Sequence, residues 1–245
     1  MKAPRPAAQN LLELALVFAV FYLPGLLWPA APTASGSPRL ALTMSQSVLA
    51  TLPQVLLLGY LIWLRGPGPG VRTVWGEFGI AIPRPIDLAW ALLLVAGVFL
   101  LLGCLAAVQT FLPEPTRRLL QGGFRWRLSD PRLLPLAALF SLCTGYREEL
   151  FFRSYLLTRL DQLGMPPAVS AAVSGLLFAF GHAYQGVAGL AVALLLGVYF
   201  AVAFQRLRNL HRLAWAHGLY NFVVLLVTLF TDILPWPPGF SSRPG

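Results

Sequence analysis

The sequence predicts an all-α membrane protein: one bundle of about seven transmembrane helices, with the functional core in the last four. Of its 245 residues, 57% are hydrophobic. Only 11% are charged, which is less than half of the roughly 25% that soluble domains carry. The apolar residues fall into runs of about 20, the length that spans a bilayer as a helix. These observations exclude a disordered chain and an ordinary soluble enzyme.

The net charge of +9 results from 18 basic and 9 acidic residues. The basic residues cluster between the apolar runs, where arginines lie next to anionic lipid headgroups. We therefore expect the lipid bilayer as a partner and no nucleic acid. Both cysteines, Cys104 and Cys143, lie inside apolar runs, so a disulfide framework is not expected.

Seven apolar segments follow one another along the chain. The predicted spans are residues 11–31, 40–64, 88–112, 133–160, 167–182, 184–204 and 213–234. Residues 113–132 mix arginine, leucine and aromatic side chains, which is typical of an interfacial segment. We therefore divide the bundle into residues 1–132, the first three spans with the basic interfacial segment, and residues 133–245, the core. No internal repeat of the transporter kind is present.

The fourth predicted span contains charged residues, which are unfavourable inside a bilayer. An ionised side chain near the bilayer centre costs about 2.5–3.5 kcal/mol on insertion scales. This span carries four charges within seven residues: Arg147, Glu148, Glu149 and Arg153. Glu149 and Arg153 are four residues apart, so they share a helix face and can pair. Glu148 has Phe152 at the equivalent position, so we expect no dedicated cation for it, which suits a general base. A pair of structural ion bridges is the alternative.

Two other spans carry unusual polar residues. His182 ends the fifth span, while His217 and Asn221 are four apart on one face of the seventh. Gly218, beside them, allows close approach of another backbone. Taken singly, these residues could be interfacial or could hold helices together by hydrogen bonds. His211, in a basic turn, is expected to be solvated. Together, the sites on three different helices, in order along the chain, predict one water-accessible pocket.

The combined pattern resembles a known family. Its three parts are Glu148-Glu149-x-x-x-Arg153, Phe178-x-x-x-His182 and His217-x-x-x-Asn221. They resemble the three motifs of the CAAX protease and bacteriocin-processing family (CPBP, or Abi) of intramembrane proteases. The resemblance covers residues 133–234, has no departure at the motif positions, and leaves the first three spans outside.

The resemblance implies an activity and a role for each motif residue. The activity is hydrolysis of a peptide bond in a membrane-anchored protein or peptide, near its C-terminus. Glu148 is implied as the base that activates a water, with His182 assisting. His217 and Asn221 are implied to hold the oxyanion. Glu149 and Arg153 are implied to support the pocket.

Metal dependence is open at this point. Members of this family were long called metalloproteases, and four residues could supply a zinc site of carboxylates and imidazoles: Glu148, Glu149, His182 and His217. However, the sequence lacks a metal-binding spacing such as HExxH, and the Asn221 amide is a poor zinc ligand. A metal-free glutamate mechanism is therefore favoured over the zinc-dependent version.

Other function classes also remain open. A non-catalytic membrane scaffold or immunity protein is the main alternative to a protease. A transporter with a proton relay is disfavoured, because no inverted repeat or pair of broken helices is visible. High usage of arginine, proline and leucine indicates a GC-rich bacterial source. We therefore expect the bacterial inner membrane, where prenylated substrates are less expected.

Overall fold

The computed structural model describes residues 7–27, 38–66, 73–120 and 127–233. These ranges contain helices, turns and loops but no strand, which confirms the all-α prediction. The helices are α1 (Ala7–Leu27), α2 (Pro38–Trp63), α3 (Val74–Glu77), α4 (Pro85–Gln109), α5 (Glu114–Leu120), α6 (Leu134–Glu149), α7 (Thr158–Gln162), α8 (Pro167–Gly181), α9 (Gly186–Leu207) and α10 (Leu210–Ile233). A π-helical segment, Leu150–Leu157, joins α6 to α7.

Five segments of the described ranges are long and apolar enough to cross a membrane, which indicates an integral membrane protein. They are Ala7–Gly25, Pro38–Trp63, Pro85–Gln109, Ala183–Leu207 and Leu210–Phe230. The fourth predicted span corresponds to the helical run from α6 to α7, which holds the charge cluster. The fifth corresponds to α8, whose 15 residues extend about 22 Å, less than the roughly 30 Å hydrocarbon core. The count of about seven spans therefore stays a prediction.

The predicted interfacial segment is partly helical. It contains α5, where Arg117 and Arg118 both pair with Glu114, and a 3₁₀ turn at Pro131–Leu133. Residues 121–126 lie outside the described residues, as do residues 28–31 at the end of the first predicted span and 234 at the end of the last.

Proline and a capping carboxylate define the helix starts. Pro38, Pro85 and Pro167 each begin a helix, where the missing N–H removes no hydrogen bond. In α4, the Asp87 carboxylate accepts a hydrogen bond from the Arg84 backbone N–H at 2.8 Å. Asp87 also accepts one from Arg212 Nε at 2.8 Å, so this buried carboxylate ties the start of α4 to α10.

The π-helical segment occupies the centre of the bundle. All eight of its residues are buried, and it packs against α2, α8, α9 and α10. Its largest apolar side chains, Phe151, Phe152 and Tyr155, belong to the main core cluster. The segment begins directly after Glu149. Short π-helical stretches inside α-helices are frequent at functional sites, and here one follows the two carboxylates.

Two glycines let α6 and α10 approach closely. A Cβ atom on Gly145 would lie 2.6 Å from the Ala214 carbonyl oxygen and 2.7 Å from the Gly218 nitrogen. A Cβ atom on Gly218 would lie 3.1 Å from Leu142 Cα. The close approach expected at Gly218 is therefore confirmed. Gly145 lies one turn before the glutamate pair, so this crossing sets the distance between the glutamates of α6 and the histidine of α10.

Replacing Gly145 with alanine should destabilise the protein. Both atoms that the new methyl would meet belong to backbone, so the helices must separate, at a cost of about 1–3 kcal/mol. Thermal unfolding of the detergent-solubilised protein measures this loss. The control is Gly103→Ala, since a Cβ atom there meets nothing within 4 Å. Equal stability of the two variants would contradict the close crossing.

Candidate active site

The structure brings the six motif residues with implied roles into one neighbourhood. The two glutamates end α6, His182 directly follows α8, and Arg153 lies in the π-helical segment. His217 and Asn221 lie one turn apart on α10. Glu148, His182, His217 and Asn221 line the same cavity of about 240 Å³. The geometry is that expected of one pocket, while the chemical roles stay predictions.

The Glu148 carboxylate is the point on which the cavity groups converge. Its side chain is buried, with 7% of its surface exposed. The Oε2 atom lies 3.9 Å from His182 Nε2 and 3.7 Å from His217 Nε2. These distances allow one water molecule in the cavity to hydrogen-bond to the carboxylate and to an imidazole at the same time.

The expectation that Glu148 has no dedicated cation is wrong. Arg147 Nη2 lies 3.3 Å from Glu148 Oε1. Adjacent residues on a helix do not face each other, but the long Arg147 side chain bends back into the cavity. There, its Nη1 donates a hydrogen bond to Ser47 Oγ of α2 at 3.2 Å. Arg147 was visible in the charge cluster, whereas no sequence signal marks Ser47, one hundred residues earlier.

The Glu149 carboxylate joins two of the other motif residues. Its Oε2 lies 3.2 Å from Arg153 Nε, which confirms the predicted pair. Its Oε1 lies 2.8 Å from His217 Nδ1, a contact that the sequence did not predict. Both members of the ion pair are completely buried. The Arg153 guanidinium also donates to the Gly197 carbonyl at 3.3 Å and lies 4.6 Å from the Phe178 ring centre. These contacts offset part of the desolvation cost.

The hydrogen bonds at Nδ1 assign the tautomers of the two histidines. His182 Nδ1 lies 2.8 Å from the Phe178 carbonyl oxygen, which can only accept. His217 Nδ1 faces the Glu149 carboxylate in the same way. Both rings therefore carry a proton on Nδ1, and in the neutral form both present an Nε2 lone pair to Glu148. His217 can donate from Nε2 only when both its nitrogens are protonated.

The four-residue zinc set does not fit this arrangement. Both oxygens of Glu149 already face other groups, Arg153 and the Nδ1 of His217, so this carboxylate is not directed at a shared ion position. Across the described ranges, no group of three or more histidine, cysteine, aspartate or glutamate residues is arranged to hold a metal ion. We therefore derive no catalytic step through zinc.

His211 lies outside the cavity, and the expectation that it is solvated is wrong. Its Nδ1 lies 2.9 Å from the Tyr146 hydroxyl, and its Nε2 lies 2.7 Å from the Ala81 carbonyl oxygen. The start of α10 folds back against the loop before α4, so both ring nitrogens meet polar groups there. His211 thus connects α6 to that loop.

A second cavity adjoins the first. It has a volume of about 340 Å³ and shares with the first cavity His182, His217 and Asn221, among others. The residues that line only the second cavity are all apolar: Leu102, Leu120, Phe178, Ala188, Gly189, Val192, Ala193 and Leu196. The shared polar residues therefore stand between an apolar space and the cavity that contains Arg147.

Replacing Arg153 with leucine should strongly destabilise the protein. Removing one partner of a buried ion pair leaves an uncompensated charge, at a cost of about 3–5 kcal/mol. The matched control is Arg118→Leu, because Arg118 forms an ion pair of the same spacing with Glu114 at the exposed surface. That variant should unfold like the wild type. Chemical denaturation in detergent measures the free energy of unfolding of both variants. Similar values would show that the buried ion pair contributes no more to stability than the exposed one.

Comparison with known proteins bears on the segment that carries this geometry. Residues 130–223 match the model of the family described as type II CAAX prenyl endopeptidase Rce1-like. The match covers less than half of the chain and includes all seven residues named in the three motifs. No curated protein matches the chain, and no solved structure matches it. The expected resemblance to the CAAX protease family is thus confirmed for residues 130–223.

Proposed function

We propose that this protein is an intramembrane endopeptidase that hydrolyses a peptide bond of a membrane-anchored protein or peptide, near the substrate's C-terminus. The family match supports a CAAX-type intramembrane protease. The observation that carries the mechanism is the convergence of one carboxylate and two imidazoles in a cavity that Asn221 also lines. Peptide hydrolysis requires a base for water and donors for the developing oxyanion, and these groups supply both.

In the first step, Glu148 and His182 hold a water molecule. Glu148 accepts a proton from it, and the resulting hydroxide attacks the carbonyl carbon of the scissile bond. The neutral His182 contributes its Nε2 lone pair, since its Nδ1 proton is bonded to the Phe178 carbonyl. This lone pair accepts a hydrogen bond from the water and orients it. The carbonyl oxygen becomes the negative oxygen of the tetrahedral intermediate.

In the second step, Asn221 and His217 stabilise that oxygen. The Asn221 side-chain amide is a donor in either protonation state of the site. His217 donates from Nε2 in its doubly protonated form, in which its Nδ1 donates to the Glu149 carboxylate at 2.8 Å. One oxyanion donor typically stabilises the transition state by about 2.7–4 kcal/mol. Glu148 then returns its proton to the leaving nitrogen, the C–N bond breaks, and a carboxylic acid and an amine result; the acid then ionises by giving up its proton to the solvent.

Glu149 and Arg153 act as positioning residues in this mechanism. Arg153 neutralises and orients the Glu149 carboxylate from one side, and the carboxylate orients the His217 ring from the other. Because both glutamates come from the same helix end, the base and the oxyanion donor keep a fixed separation.

We further propose that the protein works in a bacterial inner membrane and uses no metal.

Replacing Glu148 with glutamine should abolish cleavage while the protein still folds and inserts. The amide cannot accept the water proton, and loss of a general base costs at least about 10²–10⁴-fold in rate. Turnover of a membrane-anchored substrate by purified protein in liposomes measures this. The control is Glu114→Gln, which makes the same change at an exposed position of α5. Full activity of Glu148→Gln would refute the proposed base.

The substrates themselves can be found by comparing membrane proteomes of the native host. The strains are the wild type, a deletion, and the deletion complemented with Glu148→Ala at equal expression. A protease predicts that the last two strains accumulate the same unprocessed proteins. If Glu148→Ala restores the wild-type pattern, the carboxylate is structural and the protein acts as a non-catalytic scaffold or immunity factor.

Removal of divalent metal should leave the activity unchanged. The proposed steps use only side chains and water, and Glu149 is engaged by His217 and Arg153. The measurement is turnover in liposomes before and after treatment with 1,10-phenanthroline, followed by dialysis. Activity that is lost on chelation and restored by zinc alone would establish the zinc-dependent version of the protease.

A further inference from the structure

Arg147 lies in the catalytic cavity with most of its hydrogen-bonding capacity unused. A guanidinium group has five N–H donors. Within the described residues, two of them are used, in the bonds to Ser47 and Glu148. The Arg147 side chain is 17% exposed and lines the cavity. The remaining donors are therefore available to a molecule bound there.

The surroundings of Arg147 are rich in hydroxyl groups. Thr43 and Ser47 of α2 and Thr144 of α6 line the same cavity. Thr144 is more than nine-tenths buried, and its hydroxyl has no hydrogen-bond partner among the described residues. This polar wall contrasts with the adjoining cavity, in which the residues not shared with the first cavity are all apolar. A peptide that crosses the catalytic residues therefore passes from an apolar space to a polar one with a cation.

The charge balance of the cavity changes during the proposed reaction. Before reaction, Arg147 is paired with the Glu148 carboxylate, while Glu149 is paired with Arg153. When Glu148 accepts the water proton, it becomes neutral, and Arg147 loses its anionic partner. The negative charge is then on the oxyanion that His217 and Asn221 hold, so the guanidinium can pair with a second anion at that stage. A carboxylate suits this position, since it matches the planar guanidinium fork.

We propose that Arg147, together with the hydroxyl groups of Ser47 and Thr144, forms a subsite that binds a carboxylate of the substrate. This inference rests on the proposed protease function and specifies which substrates the site prefers. An apolar, membrane-anchored part of the substrate occupies the second cavity, and the carboxylate lies on the opposite side of the scissile bond. The carboxylate can belong to the substrate's C-terminus or to an aspartate or glutamate side chain near it.

The test uses full-length protein in liposomes and synthetic peptides that span the cleavage site of a substrate from the proteome comparison. One peptide ends in a free carboxylate and a second in an amide; a third replaces nearby acidic side chains by their amides. The wild type should cleave the all-acid peptide with a kcat/KM about 10- to 100-fold above that of one amidated form. If amidation of the C-terminus lowers kcat/KM, the carboxylate is that of the C-terminus. If amidation of the side chains lowers it, the carboxylate is that of an aspartate or glutamate.

Arg147→Gln should remove this preference by lowering turnover of the acid peptide towards that of the amide. Arg147→Lys, which keeps the charge but not the fork, should retain part of it. The matched control is Arg206→Gln, since Arg206 is exposed and lies outside the catalytic cavity. That variant should keep the wild-type preference. Loss of turnover by the same factor for all peptides would overturn the subsite, because Arg147 would then act only on Glu148.

Product inhibition gives a measurement that needs no variant. The carboxylate-bearing product peptide should inhibit the wild type at least about 10-fold more strongly than its amidated form. Equal inhibition would overturn the subsite while leaving the protease intact. Conversely, if the wild type cleaves none of the peptides and Glu148→Ala restores the wild-type proteome, the proposed function fails and the subsite fails with it.

Discussion

The site depends on the contacts of one completely buried carboxylate, that of Glu149, with Arg153 and His217. Burying the carboxylate without the guanidinium, or the guanidinium without the carboxylate, would carry a prohibitive desolvation free energy. Together they form a neutral unit that carries further contacts, to the Gly197 carbonyl and to the Phe178 ring. The unit connects α6, the π-helical segment, α8, α9 and α10 through polar contacts rather than through apolar packing alone.

The main-chain geometry around this unit is equally constrained. The α6–α10 crossing brings together backbone atoms at Gly145 and Gly218. A similar close approach joins α8 to α9, where a Cβ atom on Gly197 would lie 2.9 Å from Gly175 Cα. Small residues at helix crossings are the usual way for membrane helices to pack closely. Here they also place the Gly197 carbonyl within reach of Arg153.

Much of this arrangement could be predicted from the sequence because it depends on local periodicity. Spacing of four residues places Glu149 with Arg153, and His217 with Asn221, on common helix faces. Apolar run length identifies helices long enough for a membrane. The pocket shared by the three motifs was predicted, but individual contacts between distant segments could not be. Nothing local indicates that Arg147 reaches Ser47 or that Glu149 bonds to His217. The buried charges of α6 lower its mean hydropathy, so apolar run length alone does not identify it as a membrane span.

The contribution of α2 to the cavity has a consequence for how the protein can diversify. Thr43 and Ser47 lie outside residues 130–223, the part that matches the family. Neither residue takes part in the contacts that hold Glu149, Arg153 and His217 together. Substitutions on one face of α2 can reshape the space beside the Glu148 carboxylate without touching the Glu149–Arg153–His217 unit. Two proteins with identical motifs can thus differ in selectivity through a helix that family comparison does not reach.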